Sequence, residues 1–221
     1  MNPLDSTIQS VCPTVMVPRH EPLALLDHDS HRFLIGADAL FVEIRRPWIH
    51  AIIRLVDTPM PMPYGQPPVM FSLRLNRRAL VAGLQQFIDQ ARLVAPLEHA
   101  AWLTFKPSTG ALEYAEPAIL NRGNGHIQYE RPEATPDSLP MCDVHSHGSF
   151  SAYFSGVDQV DDLNDDAKLA FVVGNLDKPT PSVAMRFVGL GLSISLSEWI
   201  GALLYDFGIA STHAKETQTH D

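Results

Sequence analysis

Val69, Phe71, Leu73 and Leu75 alternate with Met70, Ser72 and Arg74. Period two of this kind predicts a strand with one buried face. Upstream, the runs 32–36, 39–45 and 48–56 are rich in Phe, Val, Ile and Leu and also read as strands. Arg45–Trp48 is the turn between the last two, because Pro47 resists a mid-strand position. Thr58–Pro68 holds five prolines and one glycine, the composition of a loop. Residues 1–30 carry no clear period.

After Asn76 the period changes. Leu80, Leu84, Phe87, Ile88 and Ala91 fall at i, i+4, i+7, i+8 and i+11. They predict an amphipathic helix over Arg77–Ala95, capped by Asn76 and stopped by Pro96. Strands are expected at Ala100–Phe105, Ala111–Glu116, Ile127–Arg131, Pro140–His147, Leu169–Val173 and Val183–Val188. Turns fall at Pro107–Gly110 and Asn121–Gly125. Ser155–Asp166 predicts a short polar helix. Ser195 and Glu198 suggest a capping box ahead of a last helical stripe, Trp199, Ile200, Leu203, Leu204 and Phe207. Strands and helices mix without strict βαβ alternation, so the expected class is α+β: a mixed sheet flanked by helices, with a β-rich N-terminal extension.

Composition narrows the function. Apolar residues make up 45% of the 221 residues, enough for a sizeable core. The formal charge of −9 offers no footprint for direct nucleic-acid binding or for an anionic membrane. No apolar run approaches a membrane span, and the N-terminus has no basic region followed by an apolar one. With only Cys12 and Cys142, the expectation is a reduced, cytoplasmic chain. The apolar run around Cys142 marks it as a core residue rather than a nucleophile.

The candidate chemistry lies in LPMCDVHSHGSFSAYFSGVD, Leu139–Asp158. His145 and His147 are two apart on an expected strand, so both imidazoles point to one face and can reach one ion. Imidazole suits zinc, and a catalytic zinc needs three protein ligands and one open position. Asp158, three residues after the expected N-cap Ser155, can supply the third ligand. A carboxylate there also benefits from the helix dipole. Read alone, SGVD is a capping box and H-x-H a pair of ordinary histidines; their combination across a strand, loop and helix start reads as a metal site. Amidohydrolase barrels need far more chain after such a pair, and cupins want a glutamate that GSFSAYF lacks.

His145-Ser-His147, seven residues, Ser155, two residues and Asp158 together resemble the signature of the JAB/MPN (JAMM) zinc metallopeptidases. In that family a long helix precedes a catalytic glutamate at the head of the next strand. Here that helix runs into Pro96-Leu97-Glu98, so the resemblance implies Glu98 as general base. The glycine common three residues later is Ala101. The resemblance implies a cytidine-deaminase-like architecture, with residues 1–76 as a β-rich region, 77–191 as the metallopeptidase core and 192–221 as a C-terminal helix and tail. It also implies Zn2+ held by His145, His147 and Asp158, with Ser155 assisting at the oxyanion, and a ubiquitin-like protein as substrate. The whole chain further resembles proteins of PRTRC systems, mobile bacterial cassettes, through stretches such as Val42–Trp48. That implies an E1/ThiF-like enzyme as a second partner.

The implied reaction is hydrolysis of a peptide or Lys isopeptide bond, with Glu98 holding the attacking water and taking its proton. Glu43, in the alternating stretch LFVEI, is the rival base and otherwise a solvent-facing strand residue. Asp143 is a candidate to orient a ligand. Asp161, Asp162, Asp165 and Asp166 form an acidic run expected to be solvated. The competing reading is a non-catalytic scaffold that binds a ubiquitin-like or E1-like partner. A DNA-associated role is disfavoured by the charge.

Overall fold

The computed structural model describes residues 2–162, 166–196 and 210–211. The chain divides into two compact units, Met1–Leu75 and Asn76–Asp221.

The first unit opens on helix α1 (Pro3–Val11), which the sequence left unassigned. Its sheet runs in the order β1 (Thr14–Met16), β2 (Ser30–Ile35), β3 (Ala39–Arg46), β4 (Ile49–Asp57) and β5 (Met70–Leu73). β1 is parallel to β2, and the other pairs are antiparallel. The turn expected over Arg45–Trp48 narrows to Pro47–Trp48, because β3 runs on to Arg46 before the chain turns into β4. Leu34, Phe41, Val42, Ile44 and Ile52 are fully buried. Glu43 is buried as completely, which corrects its reading as a solvent-facing residue. The carboxylate accepts from the Leu26 N–H at 2.8 Å, meets His50 Nε2 at 2.8 Å and pairs with Arg32 at 2.7 Å. Arg32 also donates to the Ala24 carbonyl and Arg45 to that of Leu26, so this charge network seats residues 24–26 on the sheet. A carboxylate occupied in this way is spoken for as an ion-pair partner, not as a base.

The second unit begins with α2 (Arg77–Val94). The Asn76 side chain accepts from the Arg78 and Ala79 N–H groups, the expected cap. Leu80, Val81, Leu84, Phe87, Ile88 and Ala91 are buried along one stripe. The main sheet has the order β13 (Leu192–Ser195), β12 (Ser182–Gly189), β11 (Lys168–Gly174), β10 (Leu139–Ser146), β6 (Ala100–Lys106) and β7 (Ala111–Ala115). Among these neighbours β10 and β11 are parallel and the rest antiparallel. A short strand β14 (Ala210–Ser211) adds to β12, and β8 (Ile119–Arg122) pairs with β9 (Ile127–Tyr129) as a separate hairpin. Helix α3 spans Gly156–Asp162. Ser195 ends strand β13; Glu198, the apolar stripe to Phe207 and Asp165 lie outside the described residues.

The two faces of this sheet have different tasks. A side chain at Gly83 of α2 would strike Leu103, and His99 stacks on Phe87, so the odd positions of β6 face α2. Trp102 and its cross-strand partner Asp143, with His145 opposite Ala100, therefore point to the other face. One face holds the apolar core, and the other is free for chemistry. Among the described residues no helix is long and apolar enough to cross a membrane. Leu84→Ala, a truncation against the core face, is expected to cost about 3 kcal/mol, read as a lower unfolding midpoint in urea.

Candidate metal centre

His145 is the penultimate residue of β10, bracketed by Val172 of β11 and Ala100 of β6. His147 follows one residue beyond the strand end, its N–H donating to the Val173 carbonyl at 2.8 Å. This keeps the extended geometry, and the two rings share one side. Their Nε2 atoms are 3.3 Å apart. Asp158 Oδ1 lies 3.3 Å from His145 Nε2, and the three donors all fall within 4.8 Å of one another. Zinc bonds of 2.0–2.1 Å at tetrahedral angles put neighbouring donors about 3.3 Å apart. The two closest spacings match that edge, so the donor set fits zinc.

Asp158 is aimed by a capping box. Ser155 precedes the first helical residue, Gly156, and Asp158 is the third. Asp158 Oδ2 accepts the Ser155 N–H at 2.6 Å, and Ser155 Oγ accepts the Asp158 N–H at 3.3 Å. One carboxylate oxygen is thereby pinned to the backbone while the other faces His145. The capping reading and the ligand reading are the same geometry. Ser155 acts only as acceptor in that bond, which leaves its own O–H proton free to donate into the cleft.

The loop between His147 and Ser155 is held from below. Asn175 N–H donates to the Phe150 carbonyl at 2.7 Å, Leu176 N–H to Gly148 at 2.9 Å, and Ala152 N–H to Ser182 Oγ at 2.9 Å. This approach requires glycine at 174, where a Cβ would lie 2.2 Å from the Phe150 carbonyl oxygen. Gly148 turns the chain at φ 55°, a conformation that other residues rarely adopt. Tyr153 packs edge-on against His147 with ring centroids 4.6 Å apart.

Glu98 sits two residues before β6, its N–H donating to the Gly123 carbonyl at 2.9 Å. Next to it, the Ser146 N–H donates to the His99 carbonyl at 2.9 Å, continuing the strand pairing toward His147. Glu98, His145, His147, Ser155 and Asp158 line one cleft of about 560 Å³, together with Trp102, Tyr129, Arg131, Asp143 and Lys168. The three candidate ligands, with Glu98 and Ser155 that the resemblance implies, thus meet in one place. Burial, with a smaller push from the Asp158 charge, raises the Glu98 carboxyl to about 7. Burial first, then His145, lowers His147 to about 4, against Asp158 and a Ser151 backbone hydrogen bond that favour the charged ring. Neutral imidazole is the form that binds metal. A carboxyl near 7 matches a general base at neutral pH.

Two expectations are corrected around the site. Asp143 makes no direct hydrogen bond to a histidine: it accepts from Tyr129 Oη at 2.7 Å and from Lys168 Nζ at 2.9 Å. Asp162 is not solvated: it is 6% exposed and paired with Lys168 and Arg186. Tyr129, Tyr153 and Lys168 went unnoticed in the sequence, since single aromatic residues in a strand or a loop and a lysine heading an apolar run carry no spacing signal.

Residues 81–188 match the family model of prokaryotic homologs of the JAB domain, and residues 2–74 match a domain of unknown function (DUF2016). No curated protein matches the chain. A prokaryotic JAB-like domain is therefore present, its matched span contains all five cleft residues above, and the α+β fold agrees with that type.

A buried carboxyl whose folded pKa stands above its ordinary value costs stability when ionised. That cost is absent below about pH 4.5, grows as pH rises toward 7, and is complete above it. Glu98→Gln should therefore stabilise the metal-free protein by on the order of 3 kcal/mol at pH 8, with the gain shrinking toward pH 4.5, as read by thermal unfolding across pH.

Proposed function

We propose that the second unit is a zinc-dependent metallopeptidase that hydrolyses peptide or Lys isopeptide bonds of a ubiquitin-like protein. The convergence of two imidazole Nε2 atoms and a carboxylate oxygen at zinc-ligand spacing, in one cleft with a buried glutamate, carries this reading. His145, His147 and Asp158 would hold the metal. When bound, zinc supplies Lewis acidity, which makes water nucleophilic near neutral pH and polarises a carbonyl.

The chain's own groups then divide the work. Glu98 accepts a proton from the attacking water as the water oxygen bonds to the carbonyl carbon. The Ser155 O–H donates to the oxygen on which negative charge develops, a contribution worth about 3 kcal/mol where the donor is well placed. Glu98 returns the proton to the nitrogen as the C–N bond breaks, so an acid and an amine leave and the glutamate is restored. No covalent acyl-enzyme is needed. Cys142 supports no other route, because it is buried and burial raises its thiol well above the usual range.

A protein substrate suits the rim of this cleft, where Phe150, Tyr153 and Val157 are half or more exposed. Apolar surface beside a polar site is characteristic of protein-binding mouths. The likeness to PRTRC-system proteins adds an E1/ThiF-like enzyme as the proposed second partner, and the scarcity of cysteine favours a cytoplasmic setting.

The purified protein is expected to carry about one zinc per chain and to cleave a ubiquitin-like fusion, assayed by metal analysis and gel. Glu98→Gln should keep the zinc and slow cleavage by roughly 10²–10⁴-fold; full activity in that variant overturns the assignment of the base. Zinc-loaded protein that binds the fusion without cutting it identifies a scaffold instead. Because Glu98 must be ionised to act, and a bound cation favours its ionised form, the acid limb of kcat/KM should fall below pH 7 and rise with pH.

A further inference from the structure

Beneath the three donors lies a continuous string of charged and polar groups. Tyr129 Oη donates to Asp143 Oδ1 at 2.7 Å, and Lys168 Nζ reaches Asp143 Oδ2 at 2.9 Å. The same Nζ is 2.6 Å from Asp162 Oδ1, and Asp162 Oδ2 accepts from Arg186 Nε at 3.0 Å. Lys168, Asp162 and Arg186 are each about 5% exposed. Two carboxylates face two cations, so the string is neutral as a whole, and each charge is matched where it is buried.

The two carboxylates occupy telling positions. Asp143 is two residues before His145 on β10, hence on the same face of the same strand. Asp162 is four residues after Asp158 on α3, hence on the same side of the same helix. Lys168, at the head of β11, holds both at once. The two structural elements that supply the candidate metal donors are thus joined by one ammonium group directly below them.

We infer that Lys168 is a positioning residue for the metal centre, setting the separation between the β10 histidines and Asp158 through its two carboxylate partners. Helix α3 has only seven described residues and exposes Val157 and Val160, so its own apolar packing gives little purchase. The capping box aims the Asp158 side chain relative to its helix. It does not fix the helix relative to the sheet, and the Asp162 ion pairs with Lys168 and Arg186 do. A primary ammonium suits this place because it offers three donors in a compact group on a long stem. It satisfies two carboxylates on different elements while Nζ itself lies over the Trp102 ring, 5.4 Å from the centroid.

This inference rests on the metal reading above, and the test separates the two. Zinc affinity is measured by chelator competition, and the visible d–d absorption of the cobalt(II)-substituted protein reports ligand geometry. If the wild-type chain binds neither ion, the metal reading fails. If it binds, Lys168→Gln is expected to weaken zinc 10–100-fold, the range for groups that orient metal ligands, and to alter the cobalt band. Leu84→Ala, destabilised on the opposite face of the sheet, should leave both unchanged. Asp162→Asn keeps an acceptor of the same shape and serves if Lys168→Gln does not fold; a weakening of about 5–10-fold is expected. Affinity and spectrum matching wild type in whichever of these variants folds, or equal losses in Leu84→Ala, overturn the inference.

Discussion

The described part of the second unit is arranged around one awkward juxtaposition: His145 Nε2 stands 3.3 Å from both His147 Nε2 and an Asp158 oxygen. Each ring nitrogen donates or accepts according to its tautomer, so no single hydrogen bond fixes this arrangement. The protein must therefore supply the rigidity itself. It does so from three directions: the sheet pairing of β10 with both neighbours, the capping box that pins one oxygen of Asp158, and the hydrogen-bonded loop that Gly174 lets settle on β11. Each of these rests on hydrogen bonds made by the backbone, and none needs an ion to form. Sites built on such supports hold their geometry without the ion, as preorganisation requires.

Charge is sorted with equal care. Glu43 is matched by Arg32 and His50, and Asp143 and Asp162 by Lys168 and Arg186. Glu98 is buried with no cationic side chain paired to it among the described residues, and its strongest charged neighbour is another carboxylate, Asp158. Burial without compensation is what lifts its pKa, and burial with compensation is what the other acids receive. Environment, not residue type, sets the paired carboxylates apart from Glu98, whose burial goes uncompensated. The same sorting keeps Tyr129 a donor, since burial and the adjacent Asp143 raise its phenol well above the usual range.

The two faces of the main sheet show how stability and reactivity coexist. Leu103, Phe105, Val144, Phe171 and Phe187 sit in a dry interior, while Trp102, Asp143, His145 and Lys168 carry the polar site. Strand alternation separates the two sets by one residue. A one-residue slip of β10 would exchange them, so the apolar core enforces the register on which the site depends.

Local chemistry made much of this readable from the chain. The helix stripe from Leu80 to Ala91, the Asn76 cap, most of the strands and the His145/His147 spacing each depend on neighbours a few residues away, and period alone reveals them. The family likeness picked out Glu98 and Ser155, and the cleft brings both to the histidines. What stayed hidden depends on distant partners. α1 buries none of its residues, so no stripe needed explaining, and β1 and β8 are too short to show a period. Glu43 and Asp162 look like surface charges until Arg32, His50, Lys168 and Arg186 arrive from other strands to pair with them. Sequence spacing reports which way a side chain points along its own element. Only the tertiary structure decides what stands opposite, and for a buried charge that partner decides its role.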